Sequence, residues 1–161
     1  MSTIVITVWL LREEKIMEKN QNFVQMYRDH MPELRWLMKK SGIASGILNF
    51  IMEHMDYHNA LCCSYSVFMD YFEVSKPTVS RAIKLLKDNG FIDVLKSGTS
   101  NVYIVNHEVA WTSYGEDKKM CKFKGNIIVS QKENKDYFYR NQFEKFKELR
   151  ERENIKPNDK Y

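Results

Sequence analysis

Within nine residues the chain places Lys76, Thr78, Ser80, Arg81 and Lys84, three cations interleaved with two hydroxyls. Those residue types suit the polyanionic surface of nucleic acid. Lysine and arginine neutralise phosphates, arginine can also grip a guanine edge with two parallel bonds, and hydroxyls suit phosphate oxygens or, for threonine, a thymine methyl. Between them Val79, Ala82, Ile83 and Leu86 recur at helical spacing, so a helix here buries the aliphatic stripe and leaves the donors outside. Ser75 stands where a helix cap belongs, and Pro77 falls in the first turn, where its missing N–H costs nothing. The donors gather at the N-terminal end, the end that a recognition helix inserts into the major groove. From 75 to 101 there are five Lys or Arg against two Asp, a net +3 in a chain whose total is +4. A second polar group, Lys96, Ser97, Thr99, Ser100 and Asn101, occupies a hairpin tip. It is expected to follow the phosphate backbone or the minor groove with Lys96 near the phosphates, adding affinity rather than sequence choice.

The elements that must carry these residues are legible on either side. Ser66 is expected to cap a short helix with Val67, Phe68, Tyr71 and Phe72 on one side, and Glu73-Val74 is the turn into the helix at Ser75. Asn89-Gly90 ends that helix. The period then changes from 3.6 to 2, with 91–96 and 101–105 reading as two strands of a hairpin. Upstream, Pro32 opens a helix with Leu34, Leu37 and Met38 recurring. Ser41-Gly42 breaks it, and Ala44, Ile47, Leu48, Ile51, Met52 and Met55 mark the core face of the next. A polar turn at 56–59 and a short strand at 60–64 follow, while 23–27 reads as a strand or docking arm. Together these predict an α+β chain with a winged helix-turn-helix, an extra N-terminal helix, a C-terminal β-hairpin at 120–129 and a C-terminal helix. That helix is expected over 135–153, on Tyr139, Phe143, Phe146 and Leu149, with 155–161 fraying. The predicted organisation is a poorly ordered arm (1–22), a winged-helix domain (23–130) and a charged helix and tail (131–161).

Other chemistries find less support. His54 and His58 lie four apart on one helix, but Met55 stands where HExxH needs its glutamate and no third ligand is placed, so no metal site and no cofactor is expected. There is no phosphate-binding GxxxxGK loop, no His-apolar-His pair beside a tyrosine, and no histidine at a telling spacing from Cys62 or Cys63, so catalysis is not expected. The three cysteines, Cys62, Cys63 and Cys121, are an odd count read as free thiols of a reducing cytoplasm, with the adjacent pair in the core. The apolar run 4–11 is far shorter than the ~20 residues of a membrane span and lacks the flanks of a secretory signal, so neither membrane nor export is expected. Met17 is a candidate natural start, which leaves 1–16 without an assigned role.

The order of segments resembles the RepL group of plasmid replication proteins from Gram-positive bacteria. The likeness rests on Phe23-Val24-Gln25-Met26-Tyr27, the helix at 34–38, Ile47-Leu48-Asn49-Phe50-Ile51 leading to Asn59, the helix-turn-helix at 74–87, Asn89-Gly90-Phe91-Ile92 and Val105-Asn106-His107-Glu108. It extends through Asp117-Lys118-Lys119 and Phe123-Lys124-Gly125-Asn126, covering about 23–129. The resemblance implies initiation or control of plasmid replication, by binding double-stranded origin DNA in the cytoplasm. A homodimer, joined through the C-terminal helix or the helix at 34–38, is expected because one winged helix reads few base pairs, and host replication proteins are candidate partners. A transcriptional repressor of similar fold and a winged-helix protein-protein adaptor are the alternatives.

Overall fold

A computed structural model describes residues 23–112, 134 and 142–156; the arm 1–22, the expected hairpin at 120–129 and Tyr139 lie outside them. Helix α1 (Met31–Lys40) starts with Pro32 in its first turn, as the missing proline N–H permits. Ser41 ends α1 and begins α2 (Gly42–His54), its hydroxyl accepting the Ala44 amide at 3.1 Å, so the break is also a cap. All six residues of the expected α2 stripe are buried. Strand β2 (Ala60–Cys63) leads to α3 (Tyr65–Phe72), the turn, and α4 (Lys76–Asp88); β3 (Ile92–Ser97) and β4 (Ser100–Val105) form the hairpin.

The sheet has the order β2-β4-β3 and is antiparallel throughout, with Ala60↔Ile104 and Ile92↔Val105 in register. Central β4 alternates between two apolar clusters: Tyr103 and Val105 face the main core with Leu37, Ile51, Phe68, Leu86 and Phe91, while Val102 faces Ala60 and Leu95. That alternation follows from the two-residue repeat of a strand. A second ribbon pairs β1 (Gln25–Met26) with β5 (Ala110–Trp111). Buried Asn59 joins the sheets by donating its amide to the Ala110 carbonyl at 2.8 Å, which explains why a polar side chain sits in this turn. These observations make the chain an α+β winged helix-turn-helix, as its periodicities predict.

Several expectations need correction. Met38 is 63% exposed, whereas Glu33 of α1 is fully buried. Its carboxylate receives the Arg150 guanidinium, so the inward face of α1 carries an ion pair beside buried Pro32 and Leu37. On α3 only Phe68 is buried and Phe72 partly so, while Val67 and Tyr71 face outward; an eight-residue helix turns just one narrow edge inward. The α3 cap position belongs to Ser64 rather than Ser66. At the C-terminus α5 (Gln142–Arg152) packs Phe146 and Leu149 into the main core. Ile155 does not fray: its amide reaches back to the Arg150 carbonyl past left-handed Asn154, and its side chain packs on the core. Of the stripe offered for a dimer contact, Phe146 and Leu149 are therefore occupied within the chain.

Candidate nucleic-acid interface

Three residues make the turn that aims α4. Glu73 takes the left-handed conformation, with φ 52° and ψ 44°, which lets the Val74 amide close on the Met69 carbonyl at 3.1 Å and satisfies the frayed end of α3. Val74 is partly buried against the core and pins the turn. Ser75 is extended, and its carbonyl accepts the Thr78 and Val79 amides at 3.0 and 3.1 Å, which opens α4. Its hydroxyl makes no capping bond. Instead it shares a 2.9 Å hydrogen bond with the Thr78 hydroxyl, which also accepts from the Arg81 guanidinium at 3.5 Å.

With Val79, Ala82, Ile83 and Leu86 buried, the helix turns Lys76, Pro77, Ser80, Arg81 and Lys84 outward and leaves Thr78 half-exposed. Among the described residues none of Lys76, Arg81, Lys84 or Lys96 stands in an ion pair, and Lys76, Arg81 and Lys84 lie on one surface. A row of exposed cations without carboxylate partners keeps its full attraction for an external anion. Tyr65, at the start of α3, is half-buried with its phenol near the Ser80 hydroxyl. Burial pushes its phenol up, and the Ser80 hydroxyl partly offsets that shift.

The wing is tight. Ser97 pairs with Ser100, so only Gly98 and Thr99 form the tip, and Gly98 has φ +60°, the sign a first-position glycine supplies in a two-residue hairpin loop. Lys96 and Thr99 are exposed, whereas Ser97, Ser100 and Asn101 are half-buried. Asn101 donates its amide to the Tyr103 phenol at 3.1 Å, an intramolecular task. Buried Asn134 brackets the Lys96 backbone, accepting its amide at 2.7 Å and donating to its carbonyl at 3.1 Å. That pairing satisfies part of the free edge of β3 as a neighbouring strand does.

The remaining candidates are structural in their contacts. His54 donates Nδ1–H to the Phe50 carbonyl at 2.9 Å and stacks on the Phe50 ring. Among the described residues no group of three or more His, Cys, Asp or Glu is placed to hold a metal ion. Both cysteines of β2 are free thiols, but only Cys63 is half-buried, its thiol pushed up to about 11 mainly by that burial. Cys62 is exposed, contrary to a core placement, since adjacent strand residues point to opposite faces.

Residues 39–92, from the end of α1 to the start of β3, match the family described as Helix-turn-helix domain. No curated protein and no solved structure matches the chain. Fold and family match together give this chain a helix-turn-helix domain with a wing, a domain that suggests DNA binding. No helix among the described residues is long and apolar enough to cross a membrane.

Proposed function

We propose that this chain binds double-stranded DNA in a sequence-specific manner and, at a plasmid origin, initiates or controls replication without itself catalysing a reaction. The observation that carries the DNA-binding half is the exposed face of α4, where Lys76, Arg81 and Lys84 stand without ion-pair partners among the described residues. In this reading Arg81 contacts a base edge, Lys76, Lys84 and Lys96 contact phosphates, and Thr78, Ser80 and Thr99 add hydroxyl contacts. The segments flanking the helix-turn-helix resemble RepL proteins, and that resemblance supports the replication half. The protein works in the cytoplasm as a homodimer on related half-sites and recruits host replication proteins there. Footprinting the protein on its encoding plasmid, followed by in-frame deletion of its gene, tests both halves. Protection of a discrete site and loss of the plasmid are expected; a plasmid that replicates unaided contradicts the initiator role, and no protected site contradicts specific binding.

A further inference from the structure

Helix α5, outside the segment that matches the helix-turn-helix family, reaches the far end of the candidate recognition helix. Lys145 donates from Nζ to the Lys87 carbonyl at 3.2 Å. Arg152 donates to Oδ1 of Asn89 at 2.6 Å, and Asn89 in turn donates to the Leu85 carbonyl at 2.7 Å. Two cations thus meet the last turn of α4, the negative end of its dipole. The same helix is fastened to the other side of the molecule: Arg150 bonds Glu33 and the Asp29 carbonyl, and Trp36 donates to Glu153 at 3.0 Å. Between these anchors Phe146 meets Phe91 edge to face at a centroid distance of 5.2 Å, and Leu149 is fully buried. Gly90 is left-handed, and Phe91 closes on the Leu86 carbonyl at 3.0 Å, so the exit of α4 is a finished cap that needs no further donor to form a helix. What the α5 donors add is a connection to α1 from outside the motif.

From this geometry we infer that α5 is a positioning clamp: Lys145 and Arg152 fix the C-terminal end of α4, so that its N-terminal end meets DNA at one angle. The inference rests on the DNA-binding reading above. These two cations act through the helix and are not phosphate contacts. A recognition helix free to rock loses contacts that need exact alignment first, since base-edge pairs tolerate less displacement than phosphate contacts.

The probe is a duplex selected by the wild-type chain from a randomised pool, with an unselected duplex of the same length as reference. If wild type selects nothing, the DNA-binding reading itself fails. If it selects a site, Lys145→Ala/Arg152→Ala is expected to lose roughly three- to tenfold affinity for it, at a temperature where circular dichroism shows both proteins folded. Affinity for the unselected duplex should hardly change, the slope of log affinity against log salt should stay at its wild-type value, and Arg152→Lys alone should retain most of the binding. Lys147→Ala, on the exposed side of α5, should behave as wild type. Unchanged affinity for the selected duplex overturns the clamp. A slope that falls by about one for each cation removed also overturns it, because that is the signature of a phosphate contact.

Discussion

The two ends of α4 carry the same kinds of residue and use them in opposite ways. At the N-terminal end Lys76, Arg81 and Lys84 are exposed and stand in no ion pair among the described residues. Beyond the C-terminal end the cations of α5 are engaged: Arg150 holds the buried carboxylate of Glu33, Arg152 bonds Asn89, and Lys145 bonds the Lys87 carbonyl. Basic composition by itself therefore says little. A cation bonded to a carboxylate, amide or backbone carbonyl of the fold is a structural bond, whereas one held outward with no ion-pair partner among the described residues is available to another molecule.

The comparison is broken most severely on the engaged side. Arg150→Ala strips the fully buried Glu33 of its main counter-charge, and one Glu33 carboxylate oxygen already has no hydrogen-bond partner among the described residues. Stability to urea should fall by about 3 kcal/mol. On the available side Arg81→Ala should leave the urea midpoint unmoved while costing ~1–3 kcal/mol of binding, with preference relaxed at one base pair. A uniform loss across sequences would instead assign Arg81 to phosphate.

A pH titration sharpens the contrast. His30 faces Glu33 on α1, Arg150 on α5 and Glu108 at 3.2 Å from the segment before β5, with His107 beside Glu108. The nearby Glu33 carboxylate raises the imidazole pKa against the opposing effects of burial and the Arg150 charge, helped by Glu108. Burial pushes the Glu33 carboxyl up, but the neighbouring His30 and the bond from Arg150 outweigh it and the net shift is downward. The raised histidine stabilises the fold fully below its unfolded pKa of about 6.5, and that contribution fades as pH rises through the folded value. The lowered carboxylate stabilises above about 4.3 and fades as pH falls through its folded value. The melting temperature should therefore peak between about pH 4.5 and 6.5, and His30→Gln should flatten the alkaline side. The smallest effect is expected at the turn, where Glu73→Gly relieves a left-handed side chain and should gain up to about 1 kcal/mol in urea.

The fold was legible wherever one periodicity dominated. The α2 and α4 stripes and the wing strands follow directly from spacing, because each repeats an apolar residue at the interval of its element. Tyr71 and Met38 misled for the same reason: spacing finds a face, but cannot tell which edge of that face reaches the core. Glu33 was invisible because its partner, Arg150, is far away in sequence. The residues of the candidate site were legible as a surface on α4, since their exposure follows from the buried stripe. Their local bonds were not. Nothing in the spacing distinguishes a Ser75 hydroxyl that caps the backbone from one that pairs with Thr78, and Asn101 reads as a wing contact until Tyr103 is seen beneath it.

The salt dependence of duplex binding, measured for wild type and for Lys76→Ala/Lys84→Ala, tests the central claim most directly. If the outward lysines of α4 meet phosphates, wild type loses affinity steeply as salt rises, and the variant's log-log slope falls by about two with its circular dichroism unchanged. A slope equal to that of wild type, or the absence of any duplex binding by wild type, would contradict the assignment of this face to DNA.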